Sequence, residues 1–155
     1  MKERFLTAFN ILIGKRKKLL DDCNIACDTL SDCTKIEKEI AERRWEMEVV
    51  SELSRKAIYN NANSAINQTE FTKRNDAYLE RYQAAIESVD ALETVRSERL
   101  GKALVLKSFI QDIKSQPRLI EEFYEKLWII SLDKVVVIDD ERLAFHFKNG
   151  KVIET

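Results

Sequence analysis

"FTKRNDAYLERYQAAIESVDALETVRSERLGKALVLKSFIQDI", residues 71–113, sets its apolar side chains on one register of alternating four- and three-residue steps. Tyr78, Tyr82, Ala85, Val89, Leu92, Ala103, Leu106, Ile110 and Ile113 all fall on that register, with Phe71 in phase and Arg96 and Arg99 at the two positions in the middle. A 3.5-residue repeat sustained over so many turns marks a helix that packs along a seam on another helix. Asn67 followed by Glu70 has the form of a capping box with Asn in place of Ser or Thr, so the helix is expected to begin at about Gln68. Pro117 sets an end near Ser115. Bounded in this way the helix has about 48 residues and is roughly 70 Å long at 1.5 Å per residue.

A seam needs a partner, and the chain upstream offers two. "NNANSAINQTEF", residues 60–71, is rich in the Asn and Ser that compete with helix backbone for hydrogen bonds, and reads as the tip of a helical hairpin. Before it, Ile36, Ile40, Met47, Val50, Leu53, Ala57 and Ile58 form an imperfect heptad with a stutter, while Trp45 and Val49 lie beside that seam. "DTLSDCTK", residues 28–35, supplies the N-cap candidates Asp28, Ser31 and Asp32, which places the start of this helix near Ser31 and its end near Ala62. A helix of about 31 residues covers some two-thirds of the long one. The last third is expected to pair with a first helix over Lys2–Asn24, docked in line with the second, whose apolar residues run from Phe5 to Leu20 and which has a possible kink at Gly14.

Beyond Pro117 the period changes. "LIEEFYEKLWIISL" reads as a short amphipathic helix burying Leu119, Ile120, Phe123, Leu127, Trp128 and Ile130. "KVVVID" and "RLAFHF" then alternate as strands, and Val152 and Ile153 make a third. Asn149-Gly150 between the last two favours a type I′ turn. The fold class expected is mainly α: a long antiparallel coiled-coil helical hairpin with an N-terminal helix and a small C-terminal antiparallel β-meander.

Composition agrees with long solvated helices. Of 155 residues 34% are charged, and three glycines and one proline leave few helix breakers. The net charge of −1 excludes binding to nucleic acid by bulk electrostatics, so any such contact must come from local patches. No apolar run approaches the roughly 18 residues of a membrane span and no signal-peptide pattern opens the chain, which leads to a cytoplasmic expectation. Cys23, Cys27 and Cys33 match neither a disulfide framework nor paired zinc ligands, and read as reduced helix thiols. His146, the single histidine, alternates against Phe145 and Phe147 and reads as an outward strand residue. Without a Gly-rich phosphate loop or a nucleophile-base pair, this chain is not expected to be an enzyme by itself.

The order of features carries a resemblance. "ERFLTAFNILI", "IEKEIAE", the asparagine-rich tip, "FIQDI", "LIEEFYEKLW" and finally "DKVVVIDDERLAFHFKNGKVIE" together resemble the C-terminal portion of the large serine recombinases, the phage integrases and mobile-element transposases that cut and rejoin DNA. The resemblance covers nearly the whole chain and is most specific in the last forty residues or so. It implies a parent protein with a catalytic serine domain upstream, and a zinc-ribbon DNA-binding domain into which a coiled-coil hairpin is inserted. Structural zinc is implied only for a segment upstream of this chain, and no cofactor for the chain itself.

On this resemblance residues 1–30 and 108–155 belong to the DNA-binding domain, and residues 31–107 form the coiled-coil arm with its tip at about 60–70. The implied partners are double-stranded attachment-site DNA, through the parent protein, and other subunits, through self-association of coiled-coil tips that controls synapsis and directionality. No membrane and no small-molecule substrate is implied, and a bacterial, phage or mobile-element origin fits. Candidate phosphate contacts are Lys15, Arg16, Lys17 and Lys18 in the basic block and Arg142, Lys148 and Lys151 on the meander. Candidate tip contacts are Tyr59, Ile66 and Phe71, which could equally close the hairpin by packing on each other. The plainer reading of the basic block is a solvated helix face. The alternative function is a stand-alone coiled-coil adaptor without DNA binding, which accounts for the helices but not for the terminal sheet.

Overall fold

The computed structural model describes residues 1–63 and 67–155. Five helices precede and flank a three-stranded sheet: α1 (Lys2–Gly14), α2 (Arg16–Ser31), α3 (Thr34–Asn63), α4 (Gln68–Ser115) and α5 (Glu125–Ser131), then β1 (Leu132–Val137), β2 (Leu143–Phe147) and β3 (Val152–Glu154). The chain is mainly α with a small antiparallel sheet in the order β1-β2-β3. It divides into two compact units: the first is Met1–Ser31 with Arg99–Thr155, and the second is Asp32–Glu98.

The second unit is the hairpin of α3 and the first part of α4. Asn67 caps α4 as its position predicts, its Oδ1 accepting from the amides of Thr69 at 3.0 Å and Glu70 at 3.4 Å. Ile40, Val50, Ala85 and Val89 are buried along the seam. Leu53 and Ile58, assigned to the seam from their spacing, are instead exposed. The heptad of α3 runs on through polar residues: Ser54 donates to Asn75 Oδ1 at 3.0 Å, and the side-chain amides of Asn61 and Gln68 pair with each other. Such polar layers cost stability relative to apolar ones and fix the register of the two helices. Arg44 bridges to Glu93 and Arg81 to Glu46, each at 2.6 Å, along the flanks.

The first unit has a true three-dimensional core. Phe5 and Phe9 of α1, Leu127 of α5, and Phe145 and Phe147 of β2 are essentially closed to solvent. The ring of Phe5 lies 4.9 Å from that of Trp128, edge-on to Phe123, and within 6.4 Å of Phe145 and Phe147. These separations are those of attractive tilted and edge-to-face ring pairs. The last part of α4 adds Leu106, Phe109, Ile110 and Ile113 to the same core.

Four expectations change here. The first helix is two helices, broken at Lys15, and α2 continues past Asn24 to Ser31. The start of α3 moves correspondingly to Thr34, whose amide is taken by Asp32 Oδ1 at 3.2 Å. The segment after Pro117 is helical only over Glu125–Ser131. Asn10 explains this: its side chain both donates to the Ile120 carbonyl (2.9 Å) and accepts from the Ile120 amide (3.0 Å), holding that backbone out of a helix, while Leu119 points to solvent. Finally, only Gly150 in the Asn149-Gly150 turn has positive φ, at 81°, so the turn is not type I′. Gly150 N donates to Phe147 O and Phe147 N to Lys151 O, which is a type I turn closed by a glycine bulge. The Lys148 amide, bonded to Ser131 O, belongs to the same arrangement.

Candidate nucleic-acid interface

The basic block lies at the junction of α1 and α2, where Lys15 leaves helical geometry with φ −109° and ψ 43°. One residue later Arg16 turns inward, and its Nη2 donates to the carbonyls of Ile113 and Gln116 at the end of α4. A helix C-terminus presents carbonyls without intrahelical partners and the negative pole of the backbone dipoles, so a guanidinium there is stabilising. The same device recurs twice in the first unit. Arg99 of α4 donates to the Thr29 carbonyl in the last turn of α2, and Lys148 Nζ to the Ile129 carbonyl in the last turn of α5. Because α2 and the end of α4 run antiparallel, Arg16 and Arg99 cap each other's helices.

The cations singled out from sequence therefore divide. Arg16 and Lys148 are committed to helix ends. Arg142 is paired with Asp139 at 2.7 Å inside the β1–β2 turn, and Lys151 approaches Asp22 of α2 at 3.8 Å. The guanidinium of Arg142 holds the Asp139 carboxyl below its ordinary value, helped by the Glu141 amide. Lys15, Lys17 and Lys18 are exposed, and no ion pair or hydrogen bond from their side chains is present among the described residues.

These three lysines and Arg16 line one open depression of about 650 Å³, whose apolar floor includes Ile13 and Leu20. Arg118 lines it as well, and no carboxylate does. Arg142, Lys148 and Lys151 are not part of it. Arg118 escapes a reading of the sequence because it lies about a hundred positions from the basic block. The available signal is its place just after Pro117, on the segment that Arg16 holds by the Gln116 carbonyl.

At the hairpin tip Tyr59 keeps 69% of its surface exposed, so its ring does not close the hairpin by burial. Phe71 is half-buried on α4, and Ile66 lies outside the described residues. His146 is half-buried on β2. The three cysteines are buried and unbridged. Burial pushes the Cys23 thiol above its ordinary range, against smaller opposing effects of Asn149 and Lys151. Cys27 Sγ lies 3.6 Å from the Ala103 carbonyl. No cluster of metal-ligating side chains occurs among the described residues. Likewise no helix of the described residues is long and apolar enough to cross a membrane.

No known family model, curated protein or solved structure matches the chain.

Proposed function

We propose that the chain is the C-terminal region of a site-specific DNA recombinase of the large serine recombinase family. Its first unit contacts duplex DNA through phosphates, and its helical hairpin makes the subunit contacts that control synapsis and directionality. The observation that carries this reading is the interruption of one compact unit, Met1–Ser31 with Arg99–Thr155, by an inserted hairpin, Asp32–Glu98. This is the arrangement the resemblance implies for a DNA-binding domain with a coiled-coil insertion, although the insertion spans less than the 31–107 assigned from sequence. The carboxylate-free depression at Lys15–Lys18 adds a surface suited to phosphate.

The test is binding at low salt to attachment-site duplex, with the zinc-binding segment restored upstream, together with recombination by the parent protein after removal of Lys15, Lys17 and Lys18. Binding and a recombination defect are expected. Absence of binding together with intact recombination would sink the assignment. The adaptor reading draws on one specific observation, the internal commitment of Arg16, Arg142, Lys148 and Lys151. It predicts no duplex binding and self-association that Tyr59→Ala and Phe71→Ala leave unchanged, which sedimentation measures.

A further inference from the structure

We infer that Lys15, Lys17, Lys18 and Arg118 form a single phosphate seat, positioned by Arg16; the inference rests on the DNA-binding reading for the source of the phosphate, the duplex backbone. Four positively charged side chains from two separate stretches of the chain surround one depression that no carboxylate lines. Their convergence has a structural cause. Arg16 Nη2 binds the carbonyls of Ile113 and Gln116, so the start of α2 is tied to the chain two residues before Arg118. Pro117, with its fixed φ, stands between that tie and Arg118. Arg16 thus spends its own guanidinium on α4 and sets the others in place, which makes it a positioning residue rather than a contact.

The ligand class follows from donors and shape. Three ammonium groups and one guanidinium fork offer donors only, and the fork matches the oxygens of a phosphate. The depression is open and far larger than one phosphate, so a chain that runs on through it fits better than an enclosed metabolite. Directed at phosphate oxygens, these donors make a positioning contact, equal for all sequences.

The experiment uses the 155-residue chain with two probes, a duplex oligonucleotide and inorganic phosphate. Anisotropy against salt concentration is expected to give a linear log-log dependence, and Arg118→Ala should lower its slope by about 1 while weakening attachment-site and random duplex alike. Lys17→Ala/Lys18→Ala should lower it by about 2. Phosphate titrated into labelled protein should shift the amide signals of residues 15–18 and 118, and Arg118→Ala should abolish the shifts. Arg16→Met, checked for a native melting profile, should reduce the slope although Arg16 itself meets no phosphate.

Duplex binding with a slope unchanged in the Arg118→Ala and Lys17→Ala/Lys18→Ala variants overturns the seat and leaves the DNA reading standing. Phosphate shifts without duplex binding uphold the seat and overturn its DNA source. Absence of both overturns the seat, and the zinc-restored test above then decides the DNA reading.

Discussion

The two units of this chain are stabilised in different ways. The hairpin buries a thin seam in which Ile40, Val50, Ala85 and Val89 alternate with polar layers, and the exposed ion pairs along its flanks add little to it. The unit built from α1, α2, α5, the sheet and the end of α4 buries a cluster of rings. It also ends three helices on cationic side chains supplied by other segments. A seam repeats the same small interaction many times and tolerates the loss of one. A ring cluster concentrates its stabilisation in a few side chains.

Substitutions can break or sharpen that contrast. The largest effect is expected from Phe5→Ala, which empties the position where four other aromatic side chains besides Phe9 meet. It should cost about 4 kcal/mol in urea unfolding followed by Trp128 fluorescence in a Trp45→Phe background. Most far-ultraviolet helical signal should survive, because the hairpin has a seam of its own. Val50→Ala attacks the seam at its least exposed apolar side chain and should cost about 2 kcal/mol in helical signal, with Trp128 fluorescence nearly unmoved. Equal responses of both probes to both variants would abolish the contrast.

Smaller still, Arg81→Ala removes the ion pair with Glu46, in which both side chains stay partly exposed. Its cost should be about 0.5 kcal/mol at low salt and vanish at high salt in a melting experiment. The smallest effect concerns pH. The hydrogen bonds from the Arg142 side chain and the Glu141 amide lower the Asp139 carboxyl from its ordinary 3.8, so their contribution is full above that value and is lost as pH falls through the lower folded value. Carbon-detected titration should find Asp139 below the ordinary carboxylate range, and Arg142→Ala should return it upward.

Legibility in the sequence followed the same contrast. A seam repeats itself, so α4 could be bounded at Gln68 and Ser115 from its register, its Asn67 cap and Pro117 alone. Ser54 and Asn61 carry no such mark, because a polar residue that pairs across the hairpin looks in sequence like one that faces solvent. Strands β1 to β3 announced themselves by alternation, yet Asn-Gly suits a type I′ turn as well as the glycine bulge that is found. The break at Lys15 and the irregular segment around Ile120 are set by Arg16 and Asn10, which act on backbone about a hundred residues away. The candidate site suffered most. A positive side chain is equally visible in sequence whether it caps a helix, pairs with a carboxylate or faces solvent, and only tertiary structure separated Lys15, Lys17 and Lys18 from the others or brought Arg118 to them.

The insertion of Asp32–Glu98 into the first unit has a consequence for how the chain reaches its fold. The ring cluster joins α1 to the chain beyond Arg99, and closing an unstructured loop the size of the insertion would cost about 4 kcal/mol in chain entropy. The hairpin removes much of this cost. Its contacts join residues through one tip and can zip from there, and α4 then continues without interruption through Arg99 into the core. Connectivity therefore favours one order of assembly, the local contacts of the arm before the non-local contacts of the unit it interrupts.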